Sequence, residues 1–248
     1  MWPGRCAREN VRMTWSILVR DPVTGALGAA VATRFFAVGA LCLHVEGRVG
    51  ALATQALINP MYGVKGMPAL GAGQAPEAVM TALLAADAGR GHRQLHILDV
   101  QGRAARHTGA ECVDWCGMIG AENISVAGNM LAGPAVLDRT LAAYQSTTGS
   151  MAERLLAALR AGEAAGGDKR GKQSAALKIC SADPYPDLDI RADDHPDPIA
   201  ELERLHRVSQ ERFAAFRRFL PGADSPCGVF DRAVIDAAIE ASIVRGGG

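Results

Sequence analysis

Thr14-Trp-Ser-Ile-Leu-Val-Arg-Asp-Pro-Val-Thr-Gly-Ala-Leu-Gly-Ala-Ala-Val-Ala-Thr-Arg34 is the stretch from which the fold follows. Two apolar, β-prone runs flank Asp21-Pro-Val-Thr-Gly25, a short turn-forming loop, so the runs are expected to pair as antiparallel strands. With Val23 at the centre, Thr14 stands opposite Ala32, and the period of two puts Arg34 on Thr14's face, one diagonal position away. A single bulge would reverse that parity. Thr14 also follows a methionine, Met13. As a first residue it would carry a hydroxyl and a free α-amine, a nucleophile and its general base in one residue. Such an amine has an ordinary pKa of roughly 7.7 to 8.0, and the Arg34 cation beside it would lower that value. As residue 14 of a longer chain, the same threonine is a strand residue of an ordinary surface hairpin.

Working outward, 37–44 and 48–57 read as a second strand pair broken by Gly47, and Asn59-Pro-Met-Tyr-Gly63 as punctuation. Residues 75–86, with Pro76 near the start, read as a helix. Residues 94–99 and 103–108 form another hairpin around Val100-Gln-Gly102, and 124–127 a further short strand. Residues 134–145 and 151–165 have apolar groups at helical spacing and form an antiparallel helix pair. Residues 173–180 are a strand. Asp197 caps a helix with Pro198 at its first position, running to about Phe219, and 230–244 form one more helix. Hairpins at both ends of a central helix set imply an α+β sandwich, two antiparallel sheets covered by helices.

The composition permits a full core. The chain has 248 residues, 49% hydrophobic and 21% charged, with 26 basic and 26 acidic side chains and a net charge of zero. No basic stripe with interleaved aromatics appears, so nucleic acid is not an expected partner. No apolar run is long enough to span a bilayer and residues 1–12 lack a secretory apolar core, so neither a membrane nor secretion is expected and the assigned compartment is the cytoplasm. The six cysteines show neither metal-finger spacing nor a dense disulfide pattern.

Seven blocks carry a family resemblance: Thr-Trp-Ser-Ile-Leu-Val-Arg-Asp-Pro-x-Thr-Gly (14–25), Ala-Thr-Arg-Phe-Phe-Ala-Val-Gly-Ala (32–40), Ala-Thr-Gln-Ala (53–56), Asn-Pro-Met-Tyr-Gly (59–63), Gly-Asn-Met-Leu-Ala-Gly-Pro (128–134), Gly-Gly-Asp-Lys-Arg-Gly-Lys-Gln-Ser-Ala-Ala-Leu (166–177) and Asp-Asp-His-Pro-Asp-Pro (193–198). In this order they resemble the domain of unknown function 1028 family, which is grouped with the N-terminal-nucleophile hydrolases. The resemblance implies a four-layer αββα sandwich of two antiparallel sheets, with a nucleophilic Thr, Ser or Cys at the end of a central strand. Members similar to this chain begin at the Met-Thr dipeptide. Residues 1–12, Arg-rich and without periodicity, are therefore expected to be a disordered extension or a mis-called upstream start. A start at Met13 exposes Thr14 once the methionine is removed; autoproteolysis at Met13-Thr14 is a second route. The domain is expected over 13–196, with a C-terminal helical extension over 197–248.

These observations set the candidate residues. Thr14 is the nucleophile and Arg34 its charged neighbour. The Asn129 amide, or backbone N–H groups around Gly128 and Asn129, are candidates for an oxyanion hole, although a strand-to-helix turn would need the same glycine. Gln55, Asn59 and Tyr62 follow a strand end and are candidates for binding a substrate amide or carboxylate; Asn59-Pro60 is equally a turn. Asp168, Arg170 and Ser174 lie in a loop entering a strand, as orienting groups for Thr14, with Asp168 and Ser174 also candidates for binding substrate, or as a solvated loop. Asp193, Asp194 and His195 have ligand chemistry for a cation and equally suit capping and turns. His92, His96 and His107 share one hairpin. The expected activity is cofactor-independent hydrolysis of a small linear amide through an acyl-enzyme, without a metal. The alternative is a catalytically inactive binding protein whose N-terminus is blocked by residues 1–12. The apolar stripe of the C-terminal helix suggests a homodimer or higher homo-oligomer.

Overall fold

The computed structural model describes residues 14–113, 115–167 and 171–246. The expected N-terminal extension, with Met13, and the candidates Asp168 and Arg170 lie outside them.

The first hairpin forms as expected but in a different register. β1 (Thr14–Arg20) pairs with β2 (Leu27–Thr33), with Thr14 opposite Thr33 and Arg20 opposite Leu27. The loop is closed by Asp21 N donating to Ala26 O at 2.8 Å, and Asp21 Oδ1 accepts from Val23 N and Thr24 N, each at 2.8 Å. Gly25 supplies the left-handed residue, φ 75°, that this loop needs. The hairpin centre thus falls between Val23 and Thr24 and not on Val23. One step of register exchanges the faces, so Thr33, and not Arg34, shares the face of Thr14.

After β2 the chain makes a single helical turn, α1 (Val38–Leu41), where a strand was expected. Ala37 enters it with a left-handed backbone, φ 51°, and Gly39 packs on a later strand so closely that a Cβ there would collide with Ala176 Cβ. Then follow β3 (Leu43–Glu46), β4 (Gly50–Ala56), α2 (Met61–Gly71), α3 (Pro76–Ala85), β5 (Arg93–Asp99), β6 (Ala104–Thr108), β7 (Trp115–Ala121) and β8 (Ile124–Leu131). The remainder is α4 (Ala135–Ser146), α5 (Met151–Ala164), β9 (Ser174–Cys180), β10 (Leu188–Ala192), α6 (Pro198–Glu211), α7 (Phe213–Phe216) and α8 (Arg232–Gly246). The single long helix expected over 198–219 is broken at Arg212. The turn there brings α7 against α8, withdrawing Ala215 and Ile239 from solvent.

The strands form two antiparallel sheets, ordered β10-β9-β2-β1-β8-β7 and β3-β4-β5-β6. Along β1, Trp15, Ile17 and Val19 face α4 and α5, whereas Leu18 faces the second sheet. In β4 and β5, Leu52, Leu95 and Ile97 pack under α2 and α3, whereas Ala51, Ala53 and Leu98 face the first sheet. Alternation on both sheets therefore makes three apolar layers: helix on sheet, sheet on sheet, and sheet on helix. Ile199 and Leu202 of α6 join the first of these. This is a mixed α+β molecule with two antiparallel sheets and, among the described residues, eight α-helices. None of those helices is long and apolar enough to cross a membrane.

Candidate active site

Cross-strand register gathers polar residues at one end of the six-stranded sheet. Asn129, Thr14, Thr33 and Ser174 are successive neighbours on β8, β1, β2 and β9, and Cys116 on β7 lies opposite Asn129. The first four are buried and turned toward the second sheet, in the layer that also holds the apolar cluster of Leu18, Ala29, Val31 and Ala53. Thr14 Oγ1 lies 3.0 Å from Thr33 Oγ1, a bond in which either hydroxyl can donate. Ser174 Oγ is used structurally, donating to Phe35 O and accepting from Val38 N at 3.1 Å, so it pins the turn between β2 and α1.

A buried hydrogen-bonded chain runs from the middle of the sandwich to this row, and its direction is determined from both ends. At one end Gly117 O and Gly128 O can only accept. They take the Gln94 NH2 group at 3.2 and 3.0 Å, which turns Gln94 Oε1 toward Gln55 and Asn129. Both must then donate to it: Gln55 Nε2 at 2.7 Å and Asn129 Nδ2 at 3.1 Å. Gln55 Oε1 is left to accept from Ser16 Oγ at 2.6 Å, so Ser16 in turn accepts from His96 Nε2 at 2.9 Å. At the other end Arg106 Nε, which can only donate, bonds Ser125 Oγ at 2.9 Å, and that hydroxyl passes its proton toward His96 Nδ1 at 3.0 Å. His96 is therefore neutral with its proton on Nε2. Burial, with the nearby Arg106 charge, pushes its pKa down to about 3.

The chain fixes which face Asn129 presents. Its NH2 group is turned to Gln94, and its Oδ1 is fully buried with no hydrogen-bond partner. An oxyanion role for the amide needs the NH2 group to face the reacting carbonyl, whereas this orientation offers an acceptor.

The other sequence candidates separate into different places. Gln55 belongs to the buried chain. Asn59 Nδ2 and Tyr62 OH both donate to Asp87 Oδ2, at 2.9 and 2.7 Å, in a knot completed by Arg93 Nε at 3.1 Å and Gly89 N on Asp87 Oδ1 at 2.7 Å. These bonds outweigh the cost of burial and hold the Asp87 carboxyl well below the usual range; burial and Asp87 push the Tyr62 phenol up. The knot closes one side of a cleft of about 290 Å³ between α2 and α3, lined also by Lys65 and Gln74. Arg34 is exposed just past the end of β2, with its guanidinium beside Gly171.

Asp193 pairs with Arg191, Asp194 accepts from Gln173 Nε2 at 3.1 Å, and His195 Nδ1 accepts from Asp197 N at 3.0 Å. Asp197 caps α6 through Ala200 N at 3.0 Å. His92 meets Glu111, His107 meets Arg90 O, and His96 lies in the buried chain, so the three do not converge. Among the described residues, no cluster of three His, Cys, Asp or Glu side chains is placed to hold a metal.

Sequence reasoning missed Thr33, Gln94 and Ser16. Thr33 would have been found with the hairpin centred half a residue later. Gln94 and Ser16 carry no local signal beyond being polar in apolar, alternating strands.

Fold and row together define a two-sheet α+β protein with a buried threonine at the head of a central strand. The model of a family of unknown function, DUF1028, matches residues 14–202, and the chain belongs to that family. Protein SPO2555 from Silicibacter pomeroyi, of the same family, has a crystal structure that aligns with a TM-score of 0.82 at 34% identity, covering 88% of this chain and 100% of that one. Anbu, an ancestral β-subunit from Yersinia bercovieri, aligns over 84% of this chain and 98% of its own with a TM-score of 0.36 and 14% identity. No curated protein matches the chain.

Proposed function

We propose that the protein is an N-terminal-nucleophile amidohydrolase that cleaves a small linear amide or peptide-like bond through an acyl-enzyme on Thr14. The observation that carries this is the position of Thr14: first residue of a central strand, buried between two sheets, its hydroxyl 3.0 Å from that of Thr33 in a row of polar side chains. Two further points support it. The layering has the order that the sequence resemblance implies for such hydrolases, and the family match opens at Thr14 itself.

In the catalytic form Thr14 is N-terminal. Its α-amine takes the proton of its own hydroxyl as Oγ1 adds to the amide carbonyl. The tetrahedral intermediate collapses with the same proton passing to the departing amine, leaving an ester on Thr14. Water, deprotonated by the same amine, then hydrolyses the ester and restores the hydroxyl. In this step Thr33 is the donor of the pair, which leaves the Thr14 hydroxyl proton free to pass to the amine. Arg34, at the same end of β2, acts on the amine by charge across the end of the sheet and not by a shared face.

The test is N-terminal sequencing and intact mass of protein expressed from the native gene, with a covalent amide-electrophile probe on the same sample. The expected result is an N-terminus at Thr14 and one adduct on that residue, absent in Thr14→Ala. A chain that stably retains residues 1–13 and takes no adduct points instead to a binding protein with a blocked N-terminus.

A further inference from the structure

We infer that Asn129 is the positioning residue for the α-amine of Thr14, with its Oδ1 as the acceptor and Gln94 as the clamp that aims it. This rests on the N-terminal-nucleophile reading above and adds to it the group that orients the base.

The backbone ladder decides where the Thr14 nitrogen points. Arg20 N donates to Asn123 O at 2.9 Å, which sets the phase of the β1–β8 pairing. In an antiparallel ladder every second pair exchanges both backbone bonds. Stepping by two from Arg20 along the unshifted register gives Leu18 with Ser125, Ser16 with Ala127, and Thr14 with Asn129. Toward β2 the phase is opposite, because Asp21 N donates to Ala26 O. The Thr14 nitrogen therefore faces β8 and the Asn129 carbonyl. Directly opposite residues also share a face, so the Asn129 side chain lies beside that nitrogen and on the side of the Thr14 hydroxyl.

Asn129 brings an acceptor that, among the described residues, nothing else uses. Its Oδ1 is fully buried and without a partner, and the side chain cannot simply turn over. A flip would set Oδ1 against Gln94 Oε1, which the Gly117 and Gly128 carbonyls and Gln55 hold in place. A peptide nitrogen has one hydrogen, which the ladder consumes, whereas a free α-amine has two and an ammonium three. The additional hydrogen is what Oδ1 would take. With two hydrogens held, by the Asn129 carbonyl and by Oδ1, the neutral amine keeps one direction for its lone pair, as a base poised to take the hydroxyl proton requires. Among the described residues, the titratable and charged groups on the elements around this end are Cys116 on β7, Arg34 past β2, and, further along the hydrogen-bonded chain, His96 on β5 and Arg106 on β6.

The test reads the amine itself. Protein from the native gene, wild type and the variants Asn129→Asp and Asn129→Ala, is acetylated with acetic anhydride across pH 5 to 9, and labelling of the Thr14 α-amine is followed by mass spectrometry. The Asp carboxylate is expected to raise the labelling midpoint by about one pH unit, a tenfold change in proton affinity, and loss of the acceptor in Asn129→Ala to lower it. Opposed shifts are not the signature of a merely structural role, and Asn129→Ala keeps the test alive if the near-isosteric Asp variant does not fold. Coincident midpoints in the folded proteins overturn the inference while leaving Thr14 as an N-terminal nucleophile. A Thr14 terminus absent from every sample overturns the inference and the functional reading together.

Discussion

At the residue scale, the informative feature is the determinacy of the buried chain. A donor-only guanidinium at one end and acceptor-only carbonyls at the other leave no freedom in the five side chains between, Ser125, His96, Ser16, Gln55 and Gln94. Such a network is stabilising only when complete, because each orphaned buried partner costs about 1–3 kcal/mol. Gln94 is its most connected member, bonded to Gln55, Asn129 and the carbonyls of Gly117 and Gly128. Gln94→Leu removes the partner of Gln55 Nε2, Asn129 Nδ2 and two backbone carbonyls, and urea denaturation should show a loss of about 3 kcal/mol or more. A loss below about 1 kcal/mol would mean that these bonds are readily replaced. Little of this was legible in the sequence. Thr14, Asn129 and Gln55 stood out as polar residues at strand ends, but Gln94 and Ser16 are ordinary members of their strands, and only the packing of two sheets face to face joins them.

At the element scale, the sequence showed the strands and helices that announce themselves by period and by caps. β1, β2, α3, α5 and β9 have boundaries within a residue or two of expectation, and Ser150 with Glu153 forms a capping box at the start of α5. The elements it hid are those shaped by neighbours. α2 contains Gly63, Gly66 and Pro68, poor helix formers that read as a turn; the helix exists because Gly63 lets it lie on the His44 ring and Gly66 lets it approach Leu52. α1 hides for a similar reason, since a side chain at Gly39 would collide with Ala176. Gly39→Ala should therefore cost about 1–3 kcal/mol by overpacking, seen as a lowered melting temperature, although alanine is the better helix former. An unchanged or raised melting temperature would show that α1 can lift from β9.

At the scale of the whole molecule, a neutral histidine in the sandwich interior predicts how stability varies with pH. The His96 pKa is depressed to about 3 in the fold, against an ordinary value of 6.5 in the unfolded chain. Between these values the unfolded chain binds a proton that the folded one refuses, so stability falls as pH falls through that window. His44, also lowered by burial, adds to the same slope. Carboxylates such as Asp197, held down to about 2 by Lys172 and the α6 N-terminus, contribute stability above the ordinary carboxylate pKa that is lost only at lower pH. Denaturation midpoints from pH 7 to 4.5 should thus decline in the wild type and decline less steeply in His96→Gln. Parallel slopes would assign the decline to other groups.

The sequence by itself determined the class of fold, the family, and the threonine at the head of the first strand, because period, turn residues and ordered motif blocks are local properties of the chain. It also set the chemistry available at that end: hydroxyls, amides and an arginine. Tertiary structure alone decided who meets whom. One step of hairpin register replaced Arg34 by Thr33 beside Thr14, and the Asp87 knot drew Asn59 and Tyr62 away to the α2–α3 cleft. The second sheet, through Gln94, turned Asn129 so that it offers an oxygen and not a nitrogen. The physical reason is that strand alternation fixes which way a side chain points only once register is known, and an amide's orientation is fixed only by partners from distant segments that the fold brings together.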